Sequence, residues 1–122
     1  MAEREVHELS SGEERRVVIA RALIHKPQAL LLDEPSTSLD IGAQRELRAS
    51  VRRLAQMGVG LILVTHHLPD LVPEIDRLIL MRAGKIVGDG EVRSMLTEER
   101  LTELFGLPVR LAENEGLYHM WC

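Results

Sequence analysis

Aromatic residues and cysteine are scarce in this 122-residue chain: it holds one Phe, one Tyr, one Trp and one Cys. The single cysteine, Cys122, excludes an intrachain disulfide, which suits a reducing compartment. Phe105, Tyr118 and Trp121 all fall late in the chain, so the core before them is aliphatic. Long apolar runs are also missing. The longest, around Leu61 to Thr65, is far too short to span a bilayer. The opening residues MAEREVHE are charged and contain no apolar stretch of the kind a signal peptide needs. A surplus of positive charge is absent too, since the net charge is −4, and this argues against a nucleic-acid-binding surface. The expectation is a cytoplasmic chain that meets a membrane only through a partner. Against these absences stands a hydrophobic content of 45%, enough for a folded domain of modest size and too high for general disorder.

The order of elements follows from spacing and punctuation. Ser11-Gly12-Glu13-Glu14 fits a capping box with Ser11 as N-cap, so a helix is predicted from Gly12 to His25, ended by Pro27. Ala29 to Leu32 is a short apolar run bounded by Pro35, the signature of a buried strand. Asp40 can cap a second helix reaching Gln56, with Ala43, Leu47, Val51 and Leu54 on one face and Gly58 as its stop. Gly60 to Thr65 reads as another buried strand. Strand, helix and strand over this distance form a right-handed parallel βαβ unit. A short helix is predicted over Leu68 to Ile75, broken by Pro69 and Pro73. Arg77 to Arg82 and Lys85 to Gly88 read as a hairpin turning at Ala83-Gly84. Glu91 to Phe105 has a helical pattern, and the tail from Gly106 is less regular.

The chemistry concentrates where the run ALLLDEPSTSLD ends on Asp33 and Glu34. A carboxylate at the C-terminal edge of a parallel strand faces the crevice where α/β folds bind ligands. Asp33 suits Mg²⁺, directly or through water, and Glu34 beside it can orient or deprotonate a water. On these residues alone a second reading stands equally: Glu34 is solvated and Asp33 caps the loop. His66 follows a strand, from which a loop could aim its imidazole at a ligand. A metal shared by His66 and His67 is disfavoured, because adjacent residues of a strand point to opposite faces.

The spacing of these pieces resembles the nucleotide-binding subunit of ABC (ATP-binding cassette) transporters. Ser10, Ser11, Gly12 and Glu13 look like the signature motif, usually LSGGQ, followed by ARAL at Ala20 to Leu23. Leu30 to Asp33 looks like the Walker B strand, Glu34 like the glutamate that polarises the attacking water, Ser38-Leu39-Asp40 like the D-loop, and His66 like the switch histidine. The resemblance covers at least Glu8 to Gly90. It implies that the signature residues Ser10, Ser11, Gly12 and Glu13 contact ATP held on an opposing subunit, that Asp40 also helps bind the nucleotide, that Mg²⁺ sits near Asp33, most readily through water, and that Glu34 and His66 are catalytic groups. Ser11 stands where glycine is common, and Glu13 where glutamine is. Gly12 at a helix start lets a phosphate approach backbone N–H groups.

A P-loop, G-x-x-x-x-G-K-[ST], occurs nowhere in the chain: Gly84-Lys85 is followed by Ile86 and lacks the earlier glycine. The resemblance therefore implies the C-terminal half of an ABC ATPase. Its expected fold is α/β, a partial P-loop NTPase (RecA-like) core without the P-loop strand, carrying a parallel βαβ unit, a C-terminal β-hairpin and helices. The expected organisation is a single partial domain: the end of a helical subdomain with the signature helix over 1–27, the core over 28–90, and C-terminal helices and tail over 91–122. The strand ending at Thr65 is expected to expose an aliphatic edge where the P-loop strand belongs. The chain alone is expected to bind ATP weakly or not at all. The implied function is the ATPase of an importer, with iron chelates, cobalamin or metal ions as cargo. The implied partners are a second nucleotide-binding subunit and a membrane permease, which would place the chain at the inner face of the cell membrane. The alternatives are a non-transport ABC ATPase of DNA repair or translation, and a non-enzymatic partner that docks on a full ABC subunit. No nucleic-acid partner is expected.

Overall fold

The computed structural model describes residues 5–7 and 12–122, with side chains from Val17 onward. The chain divides into two compact units, Met1–Glu74 and Ile75–Cys122.

The first unit is built on a three-stranded parallel sheet. Its strands are β1 (Glu5–His7), β2 (Ala29–Asp33) and β3 (Gly60–Val64), in the order β1-β2-β3. Helix α1 (Gly12–His25) connects β1 to β2, and α2 (Ile41–Gln56) connects β2 to β3. The 3.6-residue repeat predicted for α2 is realised, since Leu47, Val51 and Leu54 are its buried residues. Leu54 is 0% exposed, and burying a side chain of that size contributes about 1.5–3 kcal/mol. Val18, Ile19 and Ala22 supply the buried stripe of α1, which packs against α2. Gly58, at φ +92, lets the chain leave α2 in a conformation that a side chain would strain.

The strands differ from their expected burial. In β2, Leu30 and Leu32 are buried, whereas Ala29 and Leu31 are half-buried. In β3, Ile62 is 58% and Val64 50% exposed. Leu30 pairs with Leu61 and Leu32 with Leu63, so these four share one face of the pleat. The opposite face, with Ile62 and Val64, has nothing over it among the described residues that would bury it. The continuous apolar pattern was written for a strand covered on both sides. Among the described residues β3 pairs with β2 alone, which leaves its other edge unpaired. Strand β1 has no counterpart in the sequence reading, because three residues carry too little periodicity to be seen.

Beyond β3 the predicted helix over Leu68 to Ile75 shrinks to a single 3-10 turn, Leu68–Asp70. Pro69 is accommodated in its first positions, and Leu71 has already left helical angles (ψ 84). The unit closes at Glu74. Its carboxylate accepts from Arg52 Nε at 3.0 and 3.1 Å and from Gln56 Nε2 at 3.0 Å, which fastens the end of the unit to α2. Burial pushes this carboxyl up, but the hydrogen bonds from Gln56 and Arg52 hold it below its ordinary value.

The second unit contains two antiparallel hairpins and two short helices. Strands β4 (Arg77–Arg82) and β5 (Lys85–Glu91) form the hairpin predicted at Ala83-Gly84, whose φ values of +51 and +76 fit a two-residue turn with both central residues left-handed. At Gly88 an added Cβ would sit 3.1 Å from Met95 Sδ and 3.3 Å from Leu80 Cδ1, so glycine lets that layer close. The single helix expected over Glu91 to Phe105 is two, α3 (Val92–Met95) and α4 (Glu98–Phe105). Thr97 breaks the run: it is extended (φ −129, ψ 153), and its side chain caps α4 by accepting from the Arg100 N–H. The tail is more regular than its composition suggested. Strands β6 (Arg110–Asn114) and β7 (Leu117–Trp121) pair around Glu115-Gly116, both at positive φ.

Candidate functional site

Strands β2 and β3 end side by side, and their C-terminal loops hold the groups singled out from sequence. The last ladder pair is Asp33 with Val64. Glu34 extends the pairing by one bond, its N–H donating to the Val64 carbonyl at 2.6 Å. The backbone then turns sharply. Glu34 adopts φ +48, a left-handed conformation that costs a non-glycine residue about 1 kcal/mol or more. The turn is held by the Thr37 N–H on the Glu34 carbonyl at 3.2 Å and by the Leu39 N–H on the Ser36 carbonyl at 3.1 Å. Ser38, at φ +67, is the second strained position of the loop. Strain of this kind is retained where the surrounding structure holds it, and here it turns the Glu34 side chain toward the loop after β3.

There the two loops meet. The Nδ1 of His66 lies 3.0 Å from both carboxylate oxygens of Glu34. An ionised carboxylate only accepts, so as a hydrogen bond to ionised Glu34 this contact requires the imidazole proton on Nδ1. The side chains are 81% and 34% exposed respectively, so the contact contributes little to folding stability and remains open to a ligand. Thr37 Oγ1 also reaches Glu34 Oε2, at 3.5 Å. Asp33, one residue earlier, is an exposed carboxylate at the strand end.

Beneath this exposed pair lies a buried polar group. Asp70 is 4% and Ser36 7% exposed. The Oδ2 of Asp70 accepts from Ser36 Oγ at 3.1 Å and from Thr65 Oγ1 at 2.6 Å. Thr65 Oγ1 in turn accepts from the His67 N–H at 2.9 Å. The two adjacent imidazoles therefore differ: His66 is exposed, while His67 Nε2 is buried with no hydrogen-bond partner among the described residues. Sequence reasoning passed over Ser36, Thr65 and Asp70 as site residues. The available signal was an acidic residue inside the apolar stretch LPDLV.

Of the other residues proposed from sequence, Asp40 is the N-cap of α2, its Oδ1 accepting from the Ala43 N–H at 2.8 Å. Ser10 and Ser11 lie outside the described residues. Gly12 and Glu13 are backbone of the first turn of α1, with no side chain described for Glu13. The site thus pairs Glu34 with His66, and Asp33 precedes Glu34 in the chain. As chemistry, it offers an acceptor that can take a proton from water, an imidazole that can donate, and a free carboxylate of the kind that holds a hard cation.

Residues 1–37 match a family model described as ABC transporter. The ABC transporter ATP-binding protein YlmA of Bacillus subtilis (strain 168) is 36% identical over 116 residues, 93% of this chain and 44% of that protein. The hemin import ATP-binding protein HmuV of Rhodococcus jostii (strain RHA1) is 34% identical over 113 residues, 93% of this chain and 39% of that protein. Among solved structures, an inward-facing conformation described as a metal-chelate type ABC transporter superposes with a TM-score of 0.70 at 32% identity, covering 93% of this chain and 47% of that one. The chain spans less than half the length of these curated relatives, 44% and 39%.

Proposed function

The chain belongs to the ABC transporter ATP-binding family, and from that premise we propose that it supplies the hydrolytic half of an ATP site in an import system. The observation that carries the reading is the Glu34–His66 pair, 3.0 Å apart at the C-terminal ends of adjacent parallel strands. In this reading Glu34 accepts a proton from the attacking water. With its Nδ1–H on Glu34, His66 would donate to the terminal phosphate from Nε2 as the imidazolium, in which both ring nitrogens carry a proton. Asp33 fits Mg²⁺ because it is an exposed carboxylate at the strand end beside Glu34; the ion supplies charge neutralisation on the phosphates. Ser10, Ser11, Gly12, Glu13 and Asp40 are proposed to contact ATP bound to an opposing subunit. The chain has no P-loop string, so in this reading the phosphate cradle comes from another segment, and the 122 residues alone are proposed not to hydrolyse ATP. A permease subunit is the proposed membrane partner, and among the described residues no helix is long and apolar enough to cross a membrane itself. Iron chelates, including hemin, are the proposed cargo class.

The test joins this chain to a P-loop-bearing segment from a relative and measures steady-state phosphate release. Glu34→Gln keeps size and hydrogen bonding but cannot accept the proton. Hydrolysis should fall by about 10²–10⁴-fold while ATP remains bound, seen as an ATP-retaining dimer on size exclusion. Parent-rate hydrolysis by Glu34→Gln would show that Glu34 is a solvated loop residue, and the assignment would fail.

A further inference from the structure

The Glu34–His66 contact sits on two irregular loops and is exposed, and a surface pair of that kind does not hold its own geometry against side-chain entropy. Something beneath it must set the loops. We propose that Asp70 is a positioning residue: one buried carboxylate oxygen ties the loop after β2 to the loop after β3 and thereby fixes Glu34 against His66. This rests on the reading that Glu34 and His66 act together.

The geometry is specific. Ser36 lies two residues beyond Glu34, and Thr65 immediately precedes His66. Both hydroxyls donate to the same atom, Oδ2 of Asp70, at 3.1 and 2.6 Å. The carboxylate is itself anchored to the second loop, since the Asp70 N–H donates to the His67 carbonyl at 3.0 Å and closes the 3-10 turn. Thr65 then passes the constraint on by accepting from the His67 N–H at 2.9 Å. Every link sits within two residues of Glu34 or His66, apart from Asp70, the hub. The hub is 4% exposed, so water competes little for its acceptor.

Because both hydroxyls converge on one oxygen, the requirement is an acceptor at that point and not a negative charge. A carboxamide oxygen also carries two lone pairs and can accept both bonds. Asp70→Asn should therefore preserve the arrangement, while Asp70→Leu, similar in shape but without an acceptor, should release it. Ser36→Ala combined with Thr65→Val removes the donors and should act like Asp70→Leu.

The experiment is ring-nitrogen correlation spectroscopy on the ¹⁵N-labelled full chain at about pH 8, where a free imidazole is neutral. His66 is assigned by the signal lost in His66→Gln. The parent should show His66 with Nδ1 protonated and Nε2 bare, as the Glu34 contact demands. Asp70→Leu and the Ser36→Ala/Thr65→Val double variant should lose that signature, the two nitrogens converging toward averaged shifts, and Asp70→Asn should keep it. A merely structural residue would not distinguish Asn from Leu in this way once far-UV circular dichroism shows both folded; should Asp70→Leu not fold, the double variant decides. The proposal is overturned if the parent shows no Nδ1 preference, if folded acceptor-less variants retain it, or if Asn loses it as Leu does. No nucleotide enters the measurement, so it stands or falls separately from the hydrolysis test of Glu34→Gln.

Discussion

The two units of this chain hold themselves together by opposite means. In the first, neighbours in space are distant in sequence. Parallel strands are joined through helices, and the polar hub at Asp70 bridges to Ser36 across 34 positions. In the second, neighbours in space are near in sequence. Two-residue turns close both hairpins, and most side-chain polar contacts lie on the surface, such as the bidentate pair of Arg77 with Asp89 at 2.9 and 2.7 Å. The candidate chemistry lies in the first unit. Parallel strands must cross over between pairings, and that crossover brings the ends of β2 and β3, with Asp33, Glu34 and His66, to one edge. A hairpin offers no such meeting of unrelated loops.

The contrast can be broken most forcefully at the core of the first unit. Leu54 is fully buried in α2, and Leu54→Ala should destabilise the chain by about 2–5 kcal/mol in urea unfolding. In the second unit Arg77→Gln removes an ion pair whose partner Asp89 is held below the ordinary carboxylate value, chiefly by its hydrogen bonds with Arg77. Both groups are exposed, so the unfolding midpoint should hardly move. If Arg77→Gln proved the more damaging of the two, the division between buried distant contacts and exposed local ones would be wrong.

A sharper comparison uses one mechanism in both units. Asp40 caps α2 on the Ala43 N–H at 2.8 Å, and Thr97 caps α4 on the Arg100 N–H at 3.2 Å. Asp40→Ala and Thr97→Ala should each cost about 1 kcal/mol, Asp40 the more, because its bond is shorter and charge-assisted. Helicity at 222 nm and urea midpoints read both. A cap loss at Thr97 well above that at Asp40 would mean that α3 and α4 are held apart mainly by Thr97.

How much of this was legible follows the same division. α2 was readable to the residue, because Asp40, the apolar stripe and Gly58 all speak within one element. The β4–β5 hairpin was readable from Ala83-Gly84. The β6–β7 hairpin was missed although Glu115-Gly116 marks it, because the flanking strands mix charge, amide and aromatic side chains with little alternation. The helix over Glu91 to Phe105 was joined in error, because a capping threonine inside a helical pattern looks like an ordinary surface residue. At the site, Asp33, Glu34 and His66 were visible because their type and spacing resemble a known family. Asp70 was not, since its meaning lies in two hydroxyls on separate loops, and no local pattern encodes that.

The smallest expected effect concerns acid and the second unit alone. Glu98 opens α4, and its Oε2 accepts from the Leu111 N–H at 2.8 Å and from Arg110 Nε at 3.3 Å, tying the β6–β7 hairpin to the helix. The Leu111 hydrogen bond, assisted by Arg110, holds this carboxyl below its ordinary value of 4.5. A carboxyl lowered on folding contributes stability that is fully present above its unfolded value, and that stability is lost as pH falls through the lower folded one. The hairpin should therefore loosen below pH 4.5 and not above it. Trp121, the single tryptophan, pairs with Arg110 across β6 and β7 and reports the event. It is already 53% exposed, so its emission should shift red only slightly between about pH 6 and pH 3. Glu98→Gln can still accept from Leu111 but has no charge to lose, and its acid response should be flatter. Superimposable acid titrations of the parent and Glu98→Gln would place the hairpin's acid sensitivity elsewhere, and Asp89, the other lowered carboxyl of this unit, would be the next to replace.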